Sequence, residues 1–317
     1  MKKSILIFLV LTVSIFAAAF EKPTSTFTSS GAVVDLVYKD GKLYSATDAS
    51  TVDIFDVASG EIIQKIQVSQ ILDFMGDTID SKVYSVDLIK NKILILSQAQ
   101  KGARRVHIYE NGKLELIIPY TEKLFIAKAK FLDENTILLG LLSNEIISYD
   151  IKNKKQNYRI AVSQSKFSNF VLNEDKSEVI VADESGDLKI HSTKNAKLLK
   201  ELSGQNLDNV FQVDTKNGII ITAGQDRRVV VYALKFNSSY YLHAKFLVYS
   251  VGLSPSGKVA GYASDENNNI TIFDTITKNE IGRYGGNKMT LTSILFINEN
   301  EFFSSSDDKT INFYKIK

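Results

Sequence analysis

Three histidines, His107, His191 and His243, are the only imidazoles in the chain, and cysteine is absent. Without Cys there is no thiolate nucleophile, no disulfide, no thiolate zinc or iron–sulfur ligation and no lipid-attachment site. Three His are too few for a His-rich copper or haem centre. They also fall in different repeat units, described below, so a shared metal site is not expected. Carboxylates are the other candidates. Asp48, Asp183, Asp226, Asp265, Asp307 and Asp308 recur in one kind of polar turn. A ring of carboxylates at one depth of a central channel would bind calcium. A calcium-dependent hydrolase of the lactonase or phosphatase kind is therefore the alternative to a binding protein. Asp also suits such turns by bonding its own backbone, and that is the expected role here. No phosphate-binding glycine loop, Gly-x-Ser-x-Gly elbow or His-Glu-x-x-His helix occurs. The chain is expected to be non-catalytic, with no cofactor and no metal.

The elements that hold these residues are read from an internal repeat. Units begin at Gly41, Asn91, Asn135, Ser177, Asn217, Gly257 and Asn300, spaced 40 to 50 residues apart. Each reads as a strand, a polar turn, a second strand and a polar link to a third, and a further strand precedes it. An aromatic residue or His marks one register of the second strand in every unit: Phe55, Tyr109, Tyr149, His191, Tyr232, Phe273 and Tyr314. His191 is thus a packing residue, His107 lies in the same class of strand, and His243 lies in an outer strand. Polar pairs such as Asp40-Gly41 and Asn217-Gly218 suit the short hairpins between the first two strands. β-branched and aromatic residues dominate, and no helix-period segment intervenes.

Four antiparallel strands per repeat, seven times over, predict a seven-bladed β-propeller occupying residues 20–317 as a single all-β domain. An open β-solenoid or a pair of sandwiches is the competing architecture. The last unit stops after its third strand, and Ser25 to Ser29 is spare extended sequence ahead of the first. The N-terminal segment is therefore predicted to supply the missing strand of the last blade.

The aromatic–Asp endings Phe55-Asp56, Tyr149-Asp150 and Phe273-Asp274 resemble those of the WD-repeat family, with Phe or Tyr in place of Trp. The Gly-His pair of that family is missing from every unit. A narrower similarity lies in Ile71-Leu72-Asp73-Phe74-Met75-Gly76-Asp77 and the following Lys82-Val83-Tyr84-Ser85-Val86-Asp87. These resemble the periplasmic WD-like accessory proteins encoded with periplasmic nitrate reductase in epsilonproteobacteria, the L component. That resemblance implies a non-catalytic protein supporting assembly of the reductase or electron delivery to it.

Residues 1–19 read as a cleavable export signal: Lys2 and Lys3, an apolar run from Ile5 to Phe16, then Ala17-Ala18-Ala19. An uncleaved anchor is the alternative, but the run is shorter than the ~20 residues that span a bilayer. A periplasmic location is expected. The full chain has 38 bases and 36 acids, and losing Lys2 and Lys3 balances them. A neutral chain has no field to draw nucleic acid or an anionic membrane. The expected partner is a protein, and the expected state a monomer. The longest link between blades, Gln70 to Ser81, carries Phe74 and Met75. Arg104 and Arg105 stand on its neighbouring turn, and Arg227 and Arg228 occupy the same kind of turn across the ring. Aromatic, Met and Arg anchors suit a protein interface. The other role for Phe74 and Met75 is to fold down and plug the channel.

Overall fold

The computed structural model describes residues 20–317. The expected export signal over residues 1–19 lies outside the described residues. Seven four-stranded antiparallel sheets follow one another along the chain. Blade 1 is built from Val33–Lys39, Lys42–Thr47, Thr51–Asp56 and Ile62–Gln67, and blade 2 from Val83–Ile89, Lys92–Gln98, Arg104–Glu110 and Lys113–Ile118. Blade 3 comprises Ile126–Phe131, Thr136–Leu141, Glu145–Asp150 and Lys155–Ala161, and blade 4 Phe167–Leu172, Glu178–Asp183, Leu188–Ser192 and Leu198–Leu202. Blade 5 comprises Val210–Lys216, Ile219–Gly224, Arg228–Ala233 and Ser238–His243, and blade 6 Val251–Leu253, Val259–Ala263, Ile270–Asp274 and Glu280–Tyr284. Blade 7 takes Leu291–Phe296, Glu301–Ser306 and Thr310–Lys315 from the C-terminal end and Ser25–Thr28 from the N-terminal end. Within each blade these strands run from the innermost to the outermost. Neighbouring innermost strands touch around the ring, and that of blade 7 meets that of blade 1. The architecture is a closed seven-bladed β-propeller.

The two middle strands of each blade are apolar on both sides because blades stack face to face, and nearly all of their residues are buried. Each such Leu, Ile or Phe stabilises the fold by about 1.5–3 kcal/mol relative to exposure. The outermost strands see solvent and alternate, as in Lys155–Ala161 of blade 3. The repeated aromatic sits opposite an apolar residue of the second strand each time: Phe55 with Leu43, Tyr149 with Ile137, Phe273 with Ala260 and Tyr314 with Phe302. The Asp that follows it has its own task. Asp56 accepts from the Ser59 N–H, Asp150 from Asn153, and Asp274 from both Ile276 and Thr277. The carboxylate therefore closes the turn into the outermost strand, and hydrogen bonds hold all three pKa values below the usual carboxylate range: from the Ser59 side chain and then its N–H for Asp56, and chiefly from the Asn153 and Thr277 N–H groups for Asp150 and Asp274. The predicted hairpin pairs are left-handed, with φ of 50° and 76° at Asp40-Gly41 and again at Asn217-Gly218.

The ring closes as the sequence predicts. Ser25 pairs with Phe313 and Thr28 with Thr310 in antiparallel register. Phe27 points inward, 3% exposed, and meets the rings of Phe55 and Phe303 edge-on, each at 5.6 Å.

A second device joins neighbouring blades. Polar side chains of the innermost strands accept a backbone N–H from the next blade: Asp35 from Val86 (3.0 Å), Ser85 from Ala129 (3.2 Å) and Asp87 from Phe131 (2.7 Å). Blade 5 repeats it, with Gln212 accepting from Val251 (2.8 Å) and Asp214 from Leu253 (2.9 Å). These bonds join the blades in a chain that lacks the Gly-His pair.

Candidate docking face

Strand direction alternates within each blade. The turns between second and third strands therefore share one face, here the top, with the links from one blade to the next. The link from blade 1 to blade 2 is the longest. In it Ile71–Leu72 and Thr78–Ile79 pair as a two-stranded ribbon, Ile71 with Ile79 and Leu72 with Thr78. Asp73 builds the tip. Its Oδ1 accepts the N–H of Met75 (2.8 Å) and of Asp77 (2.9 Å), and its own N–H donates to the Asp77 carbonyl (2.9 Å). Gly76 completes the reversal at φ 93°, a conformation that disfavours a Cβ. Buried Ile71 anchors the ribbon, while Phe74 is 99% and Met75 80% exposed. The tip thus projects from the top face and does not plug the channel.

The foot of the ribbon is fixed by hydrogen bonds. Asp80 accepts from Ser50 (2.9 Å) and Gln70 (3.0 Å), and the Ser81 N–H donates to Ser50 Oγ (2.7 Å). Arg105 ties both legs of the link, donating to the Ser69 carbonyl and to Ser81 Oγ, and also to Ser97 Oγ. Arg104 turns to the opposite side of its strand and stacks on Tyr84, 3.9 Å from the ring centroid, with a bond to the Gly102 carbonyl (2.6 Å). Partial burial lowers the pKa of both guanidiniums. Across the ring, Arg228 donates to the Gln205 carbonyl (2.6 Å), pairs with Asp226 and stacks on Tyr241 at 4.3 Å. Arg227 is exposed, at φ 64°. Of the six residues expected to meet a partner, Phe74, Met75 and Arg227 are therefore free to do so. Arg104, Arg105 and Arg228 are committed within the fold, Arg105 as the brace of the ribbon.

Further apolar residues share the top face and escaped the sequence reading. The other links expose Tyr120, Phe125, Leu207, Phe246 and Met289, and a blade 3 turn exposes Leu142. Their only signal in the sequence is an apolar residue in a polar link. With Leu72, Phe74, Met75 and Ile79 they give one face more exposed large apolar side chains than the other.

The expected turn carboxylates are used locally. Asp48 accepts the Ala32 N–H (2.7 Å), Asp183 that of Ser185 (2.9 Å), Asp265 those of Asn267 and Asn269, and Asp308 that of Thr310 (2.6 Å). Asp226 accepts from Leu207 and Arg228, and Asp307 stands exposed. Among the described residues no group of three or more His, Asp or Glu is arranged to hold a metal ion. The axis of the ring carries charge of both signs: Lys130 of blade 3 reaches Asp35 of blade 1 at 3.4 Å, passing blade 2. Burial acts to lower the Lys130 pKa, but Asp35 and Asp87 outweigh it and raise it. Lys128, bonded to Asn169 at 2.8 Å, is pulled down to about 8 by burial and by Lys130. Two ammonium groups beside these carboxylates oppose a divalent cation. Millimolar calcium or EDTA is expected to leave the melting temperature within about 1 °C, read by scanning calorimetry.

His107 and His191 are buried and His243 is exposed on an outermost strand. His191 Nδ1 lies 2.9 Å from the Ala196 carbonyl. His107 has no partner at Nδ1, and burial, then Arg105, pushes its pKa down to about 4. The neutral form is native, so between pH 6.5 and 4 the unfolded chain binds more protons than the folded one. Stability should fall as pH drops through that window, by about 3 kcal/mol from this group. His107→Leu should flatten that part of a urea-melt pH profile.

The fold places the chain among seven-bladed β-propellers. No protein-family model matches its sequence, and a search of curated proteins finds no match. No helix among the described residues is long and apolar enough to cross a membrane.

Proposed function

We propose that the protein is an exported, periplasmic and non-catalytic propeller that captures a partner protein on its top face. The partner on this reading belongs to the periplasmic nitrate reductase system. One observation carries the docking role: Phe74, 99% exposed, held out on a hydrogen-bonded tip above a braced foot. A solvent-facing Phe-Met pair costs solubility and contributes nothing to the core, whereas a rigid aromatic anchor loses little entropy on binding. The other apolar links widen the face toward the ~800 Å² per partner of a stable interface. The reductase assignment rests on the similarity of the ribbon sequence, Ile71 to Asp77, and of the strand after it.

The test is titration of the mature chain with purified molybdenum-containing nitrate reductase subunit and, separately, with its electron-transfer partners. Saturable binding to any of them supports the assignment, and none to all of them removes it. Capture from periplasm of nitrate-grown cells, identified by mass spectrometry, then asks whether the top face has another occupant. Arg105→Ala is expected to cut partner affinity about tenfold by loosening the ribbon. Faster proteolysis between Asp73 and Asp77 would show that the effect is positional.

A further inference from the structure

The bottom face holds a feature unrelated to the ribbon. Between blades 5 and 6 lies a groove of about 590 Å³, within the roughly 300–1,000 Å³ of small-molecule sites. Ile219, Val231 and Tyr240 line it together with Phe236 and Ile276, which are 75% and 71% exposed. Three lysines line it, Lys235, Lys258 and Lys278, and no carboxylate does. Lys278 sits over Tyr240, 4.4 Å from the centroid. Among the described residues none of the three lysines forms an ion pair. The acids behind Lys258 are already engaged, Asp274 with the N–H groups of Ile276 and Thr277, and Glu299 with Ser256.

The repeat supplies an internal control. Between blades 3 and 4, Tyr158 bonds the Thr193 carbonyl as Tyr240 bonds that of Thr275. That groove measures about 360 Å³, contains Asp133 and Asp175, and has Lys194 where the larger one has Ile276. The same architecture is thus charge-balanced in one place, and enlarged, apolar and purely cationic in the other.

We propose that the groove between blades 5 and 6 binds a small amphiphilic carboxylate, an aliphatic chain or aromatic ring bearing one acid group. The apolar part lies against Phe236, Ile276 and Tyr240, and the lysines meet the carboxylate. Calorimetric titration of the mature chain with decanoate, below its micelle concentration and at low salt, tests this. Saturable binding is expected, weakened about tenfold by Lys235→Gln with Lys278→Gln. Ile276→Ser should weaken it too, and Lys194→Gln in the equivalent groove should leave it unchanged. Decanol, with the chain but no charge, should bind at least about tenfold more weakly. All the substituted side chains are exposed, so an unchanged melting temperature confirms folding. The proposal is overturned by decanol binding as tightly as decanoate, by an equal loss from Lys194→Gln, or by no saturable heat. Binding of an acidic peptide in the absence of decanoate binding would overturn it as well, by giving the groove to a protein.

Discussion

Phe74→Ala combined with Met75→Ala is expected to weaken capture of the partner by about 2–4 kcal/mol, the range of interface hot spots. Thermal stability should stay within about 1 °C. Neither side chain contributes to the core, since Phe74 is 99% and Met75 80% exposed. The turn beneath them is made by the Asp73 carboxylate and by backbone, so both substitutions leave its hydrogen bonds intact. Calorimetry with the purified partner and a thermal melt of the free variant separate the two quantities. Full-strength binding by the double variant would remove the ribbon from the interface. A matched loss of binding and of stability would instead make the tip a folding element.

Phe27→Ala should produce the largest loss of stability of any single change considered, about 3–5 kcal/mol in a urea melt. Phe27 is 3% exposed and fills the space between Phe55 and Phe303. Its strand has a paired neighbour, Thr310–Lys315, on one side only. Truncating the ring therefore leaves a cavity and also loosens the strand that completes blade 7. Against a total stability of roughly 5–15 kcal/mol, that is a large share. Thr26→Ala serves as the control: its hydroxyl bonds Asn312 from an exposed position, and it should cost under about 1 kcal/mol. If Phe27→Ala were as mild as the control, the N-terminal strand would not be what closes the ring.

The blades were legible because their signal is repeated seven times, and each copy disciplines the others. The aromatic at Phe55 or Tyr232 means little alone, but seven at one register fix the third strand, and counting strands then exposes the gap that Ser25–Thr28 fills. The site was legible only in part. Arg104 and Arg105 look alike in sequence, yet adjacent strand residues point to opposite faces. One stacks on Tyr84 and the other braces the ribbon. Whether Phe74 projects or folds down is decided by local hydrogen bonds at Asp73, not by its hydrophobicity. The clamps between blades were missed because they use two registers of the innermost strand and three residue types. Asp35, Ser85 and Gln212 occupy one, Asp87 and Asp214 the other.

The pairing of Ser25–Thr28 with Thr310–Lys315 also sets an order of events. Thr26 and Asn312 are 286 residues apart in the chain, so Ser25–Thr28 waits for Thr310–Lys315 before it has a paired strand. Until then the first six blades can stack only as an open arc. An arc of that kind keeps an unpaired edge on Thr310–Lys315 until Ser25–Thr28 docks, so closing the ring also removes an edge that could pair with another chain. Completion of the ring then needs both ends of the described chain in place at once.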